Sequence, residues 1–274
     1  VGSEMCIRDS MYTLIPTGLH MCIHMCMTTN TITTINQYSI CLTMSASSII
    51  SCMRLLEMSD SQFPVGNFSF SNGLETASYE KIVHDADTLS QYAHAASLQS
   101  AYSDGIAAIQ AYRAISNDDY DRLLLADKEV ILCKMNDEAR QMVLRMGKKL
   151  AELAVQIMDC PTMQRFLDDI RNERTAGTYP VAQAIAMHCA GISEEDMFTS
   201  QQFGVINMIL GASLRCVRVS HYDTQKIAYN MAPQIAHDYE VVRNLDFEDM
   251  RAFVPGMDIM ASLHEKGNMR MFMN

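Results

Sequence analysis

No stretch of this chain approaches the ~18 uninterrupted apolar residues that a membrane-spanning helix requires. The most apolar candidate, residues 203–217, is broken by Asn207, Ser213 and Arg215, so no membrane span is expected. Positive charge is scarce as well: 21 Lys and Arg against 32 Asp and Glu leave a net charge of −11. Such a surface repels a phosphate backbone, which argues against nucleic acid as a partner and suits solubility or a basic protein partner. Paired cysteine motifs are missing too. Four of the nine cysteines (Cys6, Cys22, Cys26, Cys41) lie in the first 43 residues, and Cys52, Cys133, Cys160, Cys189 and Cys216 are scattered without a CxxC pair. An odd count without spacing is no disulfide framework, and the expectation is free thiols in a reducing, cytoplasmic setting.

The common signatures of catalysis are equally scarce. There is no GxxxxGK[ST], so the chain brings no phosphate-cradling loop, and GxGxxG, HExxH and GxSxG are absent. After the first 43 residues the histidines are His84, His94, His188, His221, His237 and His264. None stands three or four residues from another, as a helical metal pair would require. His188 and Cys189 are neighbours in sequence and point about 100° apart on a helix, which does not suit one shared ion. The reading is of a non-enzyme.

What is present is the composition of a packed globular protein, 49% apolar and 19% charged. Residues 1–43 stand apart. Val1–Ser10 resemble a translated adaptor, and the Thr-, Met-, Cys- and Ile-rich stretch that comes after keeps no helical or strand period. It lacks the Arg-rich character of a transit peptide and the compact core of a secretory signal. Residues 1–43 are expected to be a non-native or disordered leader, with the native chain starting at Met44. His20-Met21-Cys22-Ile23-His24-Met25-Cys26-Met27 has ligands for a soft metal, and an accidental origin in the leader is the favoured reading.

From Met44 onward the pattern is helical. Ala139, Met142, Val143, Met146, Leu150, Leu153, Ala154 and Ile157 recur at steps of three and four and define one amphipathic helix. Asn72–Glu75 and Thr88–Gln91 have the form of capping boxes, Ser193–Asp196 places acids in a first turn, and Pro161 and Pro180 suit helix starts. The 23 methionines, spread over many helices, read as core filling. With short breaks, no fixed repeat and no long polar linker, residues 44–274 are predicted to form one all-α domain, a helical bundle of roughly eight to ten helices.

One segment is more specific. Asp60-Ser61-Gln62-Phe63-Pro64-Val65-Gly66-Asn67-Phe68-Ser69-Phe70-Ser71-Asn72-Gly73-Leu74-Glu75 closely resembles the signature D-S-x-F-P-x-G-x-[FY]-x-H-S-x-G-L-E of the urease accessory protein UreF family, with Phe70 in place of the usual histidine. Further along, Glu138-Ala-Arg140 with Met146-Gly147, Tyr179-Pro180-Val181 and Arg215–Gln225 are similar to family segments. In the last of these, Arg218 and His221 replace the usual Pro and Gln. Asp258, Ser262, His264-Glu265, Arg270 and Phe272 match the family's closing pattern.

The resemblance implies an all-α homodimer that binds the accessory protein UreD (UreH), recruits the GTPase UreG and delivers nickel to apo-urease. Nickel would be transferred cargo, not a tightly bound cofactor. On that reading the partner-contact candidates are Phe68, Glu75, Arg215, Asp223, His264, Arg270 and Phe272. Arg270 would make forked hydrogen bonds and Phe272 would be the apolar anchor of a tail that orders on docking. Phe68 reads equally as an ordinary core ring. Glu75 reads better as a helix cap than as a contact. Arg215 is balanced between a partner and its own helix end, and Asp223 equally suits a cap. His221 and His264 are weak candidates for transient nickel contact. The alternatives are a metallochaperone that carries nickel itself, a helical hydrolase, or a generic helical adaptor.

Overall fold

The computed structural model describes residues 48–66, 70–267 and 270–272. The leader and its His/Cys/Met cluster lie outside the described residues. By its internal contacts the chain divides into two units, Val1–Cys52 and Met53–Asn274, and the second holds the helical bundle. Among the described residues there is no strand. Residues 48–59 form α1. Ten α-helices then run from Leu74 to Glu265: α2 (Leu74–Tyr79), α3 (Ala86–Ser100), α4 (Ile106–Ser116), α5 (Tyr120–Leu132), α6 (Asp137–Ile157), α7 (Pro161–Arg171), α8 (Tyr179–Cys189), α9 (Glu194–Cys216), α10 (His221–Val242) and α11 (Pro255–Glu265). The all-helical bundle is as expected, and no helix among the described residues is long and apolar enough to cross a membrane.

The centre of the bundle is α8. Val181, Ala182, Ala184, Ile185, Ala186 and Met187 are at most 1% exposed, so nearly every side of this helix is covered. A helix apolar all round has to be a core helix. Alanines on α4 (Ala107, Ala108, Ala111, Ala114) are also fully buried and allow close approach of the backbones. α6 comes closer still. A Cβ built on Gly147 would stand 2.1 Å from the carbonyl oxygen of Gly177, so only glycine fits where α6 crosses the start of α8. That start is held by Asp127 of α5, which is wholly buried. Its carboxylate accepts from the Thr175 hydroxyl (2.6 Å), the Gly177 and Thr178 amides (2.8 and 2.7 Å) and the Thr178 hydroxyl (2.6 Å). Among the described residues eight methionines, including Met163, Met187 and Met197, sit in the core, the gap-filling use expected of them.

Several helix starts fall where the sequence placed them. Ser193 caps α9 by accepting from the Asp196 amide, and Pro161 and Pro180 occupy the first turns of α7 and α8. Two caps differ. The box at α3 is Asp85 with Thr88, not Thr88 with Gln91, because Asp85 has the extended backbone a cap needs while Thr88 is already in the helix. α2 has no side-chain cap: Gly73 precedes it in a left-handed conformation (φ 78°), and Glu75 is turned elsewhere. A π-helical turn, Ala101–Gly105, joins α3 to α4 where no break in the periodicity announces it.

The expectation of uniformly free thiols is corrected. Cys160, just before α7, and Cys189, the last residue of α8, form a disulfide with Cα atoms 6.1 Å apart. The helices fold back on one another across 29 residues, a spacing that no short cysteine motif reveals. Cys52, Cys133 and Cys216 are free.

Candidate functional site

The two ends of the motif pattern meet. The signature segment turns through Phe63–Gly66, where the Phe63 amide donates to the Asp60 carbonyl (3.0 Å) and Gly66 takes φ 88°. After residues 67–69, which include Phe68 and lie outside the described residues, Phe70 is buried in the core. Gly73 then passes against α11. A Cβ there would be 2.9 Å from the Ala261 amide nitrogen and 3.0 Å from the Met257 carbonyl oxygen. The Gly-Leu-Glu of the motif thus needs its glycine twice, for the left-handed turn and for the close approach. Leu74 is fully buried behind it.

Glu75, one residue on, faces the C-terminal segment. Its Oε2 lies 2.9 Å from His264 Nε2. Oε1 accepts from the Met271 amide at 2.9 Å, and Oε2 from the Phe272 amide at 3.3 Å. The other ring nitrogen of His264, Nδ1, lies 2.8 Å from Glu138 Oε1 in the first turn of α6, and Arg270 Nη1 lies 3.7 Å from that same oxygen. A single imidazole therefore bridges two carboxylates from helices far apart in sequence. Ionised carboxylates only accept, so the two hydrogen bonds together require two protons shared among the three groups. Burial pushes the Glu138 carboxyl up from its ordinary value, with His264 pulling the other way. The imidazole is 3% exposed and the two carboxylates 13% and 9%, so this cluster is screened little by solvent.

Neighbouring motif residues complete the fastening. Glu265 Oε1 accepts from the backbone amides of Asp137 (3.0 Å) and Glu138 (3.1 Å), capping α6 from another helix. Asn136, whose side chain caps α6 from within the chain, donates through Nδ2 to Asp258 Oδ1 (3.0 Å). Phe272 is 4% exposed and shares an apolar cluster with Leu74, Met257 and Val217, while the Arg215 guanidinium lies 5.4 Å from its ring centre. Met271 and Phe272 are thus seated on the bundle. Arg215 and Phe272 face each other, and Arg270 remains half exposed. Asp223 stands apart from this site: with Ser220 it forms the capping box of α10, whose first residue is an exposed His221.

Beside the clasp lies a cleft of about 360 Å³, lined by Glu75, Thr76, Tyr79, Glu80, Leu263, His264, Gly267 and Arg270. Two of its lining residues, Tyr79 (82% exposed) and Leu263 (47% exposed), present large apolar side chains to solvent, as does Met271 (58% exposed) on the tail. Among the described residues no group of three or more His, Cys, Asp or Glu side chains is arranged to hold a metal ion. The structure brings together Glu75, Arg215, His264, Arg270 and Phe272, and adds Glu138, Asp258 and Glu265 as working parts. The motif had named Glu138, Asp258 and Glu265 only as matches. Asp127 was missed altogether, and only its position opposite Thr175–Thr178 in the fold marks it.

The UreF family model matches residues 83–232. The chain belongs to the UreF family. It is 44% identical over 222 residues to urease accessory protein UreF 2 of Brucella canis, covering 81% of this chain and 91% of that protein. It is also 44% identical over 222 residues to urease accessory protein UreF 1 of Brucella melitensis, covering 92% of that protein. Urease accessory protein UreF of Yersinia pseudotuberculosis is 40% identical over 231 residues, 84% of this chain and 100% of its own length. As a UreF-family member, the chain is related to proteins named as urease accessory proteins; of the clasp, Glu138 falls inside the matched residues 83–232, and Glu75, His264 and the tail fall outside them.

Proposed function

We propose that the chain is a non-catalytic scaffold of urease maturation. It works in the cytoplasm as a homodimer, binds a UreD/UreH-type accessory protein and recruits a UreG-type GTPase, so that nickel passes to apo-urease. Family membership supports the urease context. The observation that carries a scaffold reading is the seating of Met271 and Phe272 by Glu75 through their amides, which leaves the Arg270, Met271 and Tyr79 side chains on the outside beside a cleft. Burying Phe272 fixes residues 270–272 before any partner arrives, and preorganised contact surface lowers the entropy cost of docking. Phe272 then acts by holding Arg270 and Met271 in place, while the exposed pair makes the contact.

Co-purification from cells expressing the urease accessory set tests this. The full chain is expected to bring down both the UreD/UreH-type and the UreG-type protein, and deletion of residues 266–274 to lose them. An intact assembly after the deletion sinks the tail's assigned role. Equilibrium dialysis with nickel distinguishes the metallochaperone alternative: tight stoichiometric binding by residues 44–274 alone would make the chain a carrier.

A further inference from the structure

The Cys160–Cys189 pair is asymmetric. Cys189 ends α8 on the surface and is exposed, whereas Cys160 is 4% exposed beneath it. Cys160 also occupies the cap position of the eleven-residue helix α7, with Pro161 next. Thiol–disulfide exchange needs a thiolate to approach one sulfur along the S–S axis while the other leaves. Of the two residues, only Cys189 is open to solvent. The bond also spans a mechanical joint, closing a loop that contains α7 and the Thr175–Thr178 segment bound by Asp127. Cutting it leaves the Asp127 hydrogen bonds and the α7 core residues Met163, Phe166 and Leu167 to hold the same segment.

We infer that Cys160–Cys189 is a thiol-exchange site, attacked at Cys189 by a small solvent thiol and released at Cys160, through which α7 and α8 are reversibly stapled. In the first step a thiolate RS⁻ bonds to the Cys189 sulfur, the Sγ–Sγ bond breaks, and Cys160 leaves with the electron pair and takes a proton. In the second, another thiol, or the second arm of a dithiol, attacks the sulfur of RS, and Cys189 leaves as a thiolate that is protonated. The protein gains two electrons and two protons while the reductant becomes a disulfide. The partial positive charge at the start of α7 offsets part of what burial costs the departing Cys160 thiolate, while Cys189 lies at the negative end of α8. The site thus lets a chain of reducing surroundings also exist in a stapled form, and it stands independently of the proposed role in urease maturation.

Peptide mapping of the full chain, purified in air and alkylated before digestion, is the direct test. The peptides carrying Cys160 and Cys189 are expected to be linked. Brief exposure to limiting glutathione should place the glutathionyl adduct on Cys189 and leave Cys160 to be alkylated. Excess dithiothreitol should lower Tm on the order of 5–10 °C, and should not change the Tm of the Cys160→Ser/Cys189→Ser double variant. Both cysteines alkylated in the air-purified protein, an adduct on Cys160, or the same dithiothreitol effect in both proteins would each overturn the inference. If the double variant does not fold, the wild-type peptide map decides alone.

Discussion

Changing Glu75 to Gln keeps the side chain's length and removes its charge, which separates the clasp from simple packing. The His264 contact and the two amide contacts weaken together, because all three use the same carboxylate. A loss of about 2 kcal/mol in denaturant unfolding is expected, with faster hydrogen exchange at the Met271 and Phe272 amides than anywhere in α8. Asp127 is the harsher case. Asp127→Ala strands the buried amides of Gly177 and Thr178 and should cost about 3 kcal/mol or more by the same measurement. Both residues show what a sequence conveys and what it withholds. Glu75 was visible within a motif, but its position near a helix start made a local cap the natural reading. Its true partners, His264 and the tail, are nearly 200 residues away and emerge only with the fold. Asp127 belongs to no motif, and its donors come from a loop 48 to 51 residues distant.

Elements were more legible than their joints. α6 could be read because its apolar residues keep helical period, and the structure gives Asp137–Ile157 as one helix. The π-turn at Ala101–Gly105 could not, because it adds no break in polarity. Its Gly105 is matched to a ring on another helix, Phe198, which a Cβ would approach to 2.8 Å. The tightest joint is α6 on α8, and Gly147→Ala is expected to destabilise by about 3 kcal/mol or more, since the backbone of Gly177 blocks the methyl. A failure to lose stability in thermal unfolding would mean that α8 can shift away. One helix start shows a source of acid sensitivity. The Asp223 carboxyl is held below its ordinary 3.8 by hydrogen bonds from the Ser220 backbone and side chain. A depressed folded-state value means that stabilisation is full above the unfolded value and is lost as pH falls through the folded one. Asp223→Asn should therefore flatten part of the stability loss as pH falls below the ordinary carboxylate value in parallel denaturation series.

For the whole molecule, the order in which the chain is made becomes important. Glu75 emerges from the ribosome early, and its imidazole partner comes 189 residues later. At roughly 5–20 residues per second that is an interval of roughly 10–40 seconds. Throughout it, the first turn of α6 lacks the Glu265 carboxylate that receives its amides, and Leu74 lacks the cover of α11 and Phe272. Nascent chains stalled before Pro255 should be cut by protease around Leu74 and Asp137, and full-length chains should resist. Because Glu265 and Phe272 are made long after Leu74 and Asp137, the clasp also acts as a late check: a chain interrupted before Glu265 announces the fault at helix starts more than a hundred residues back.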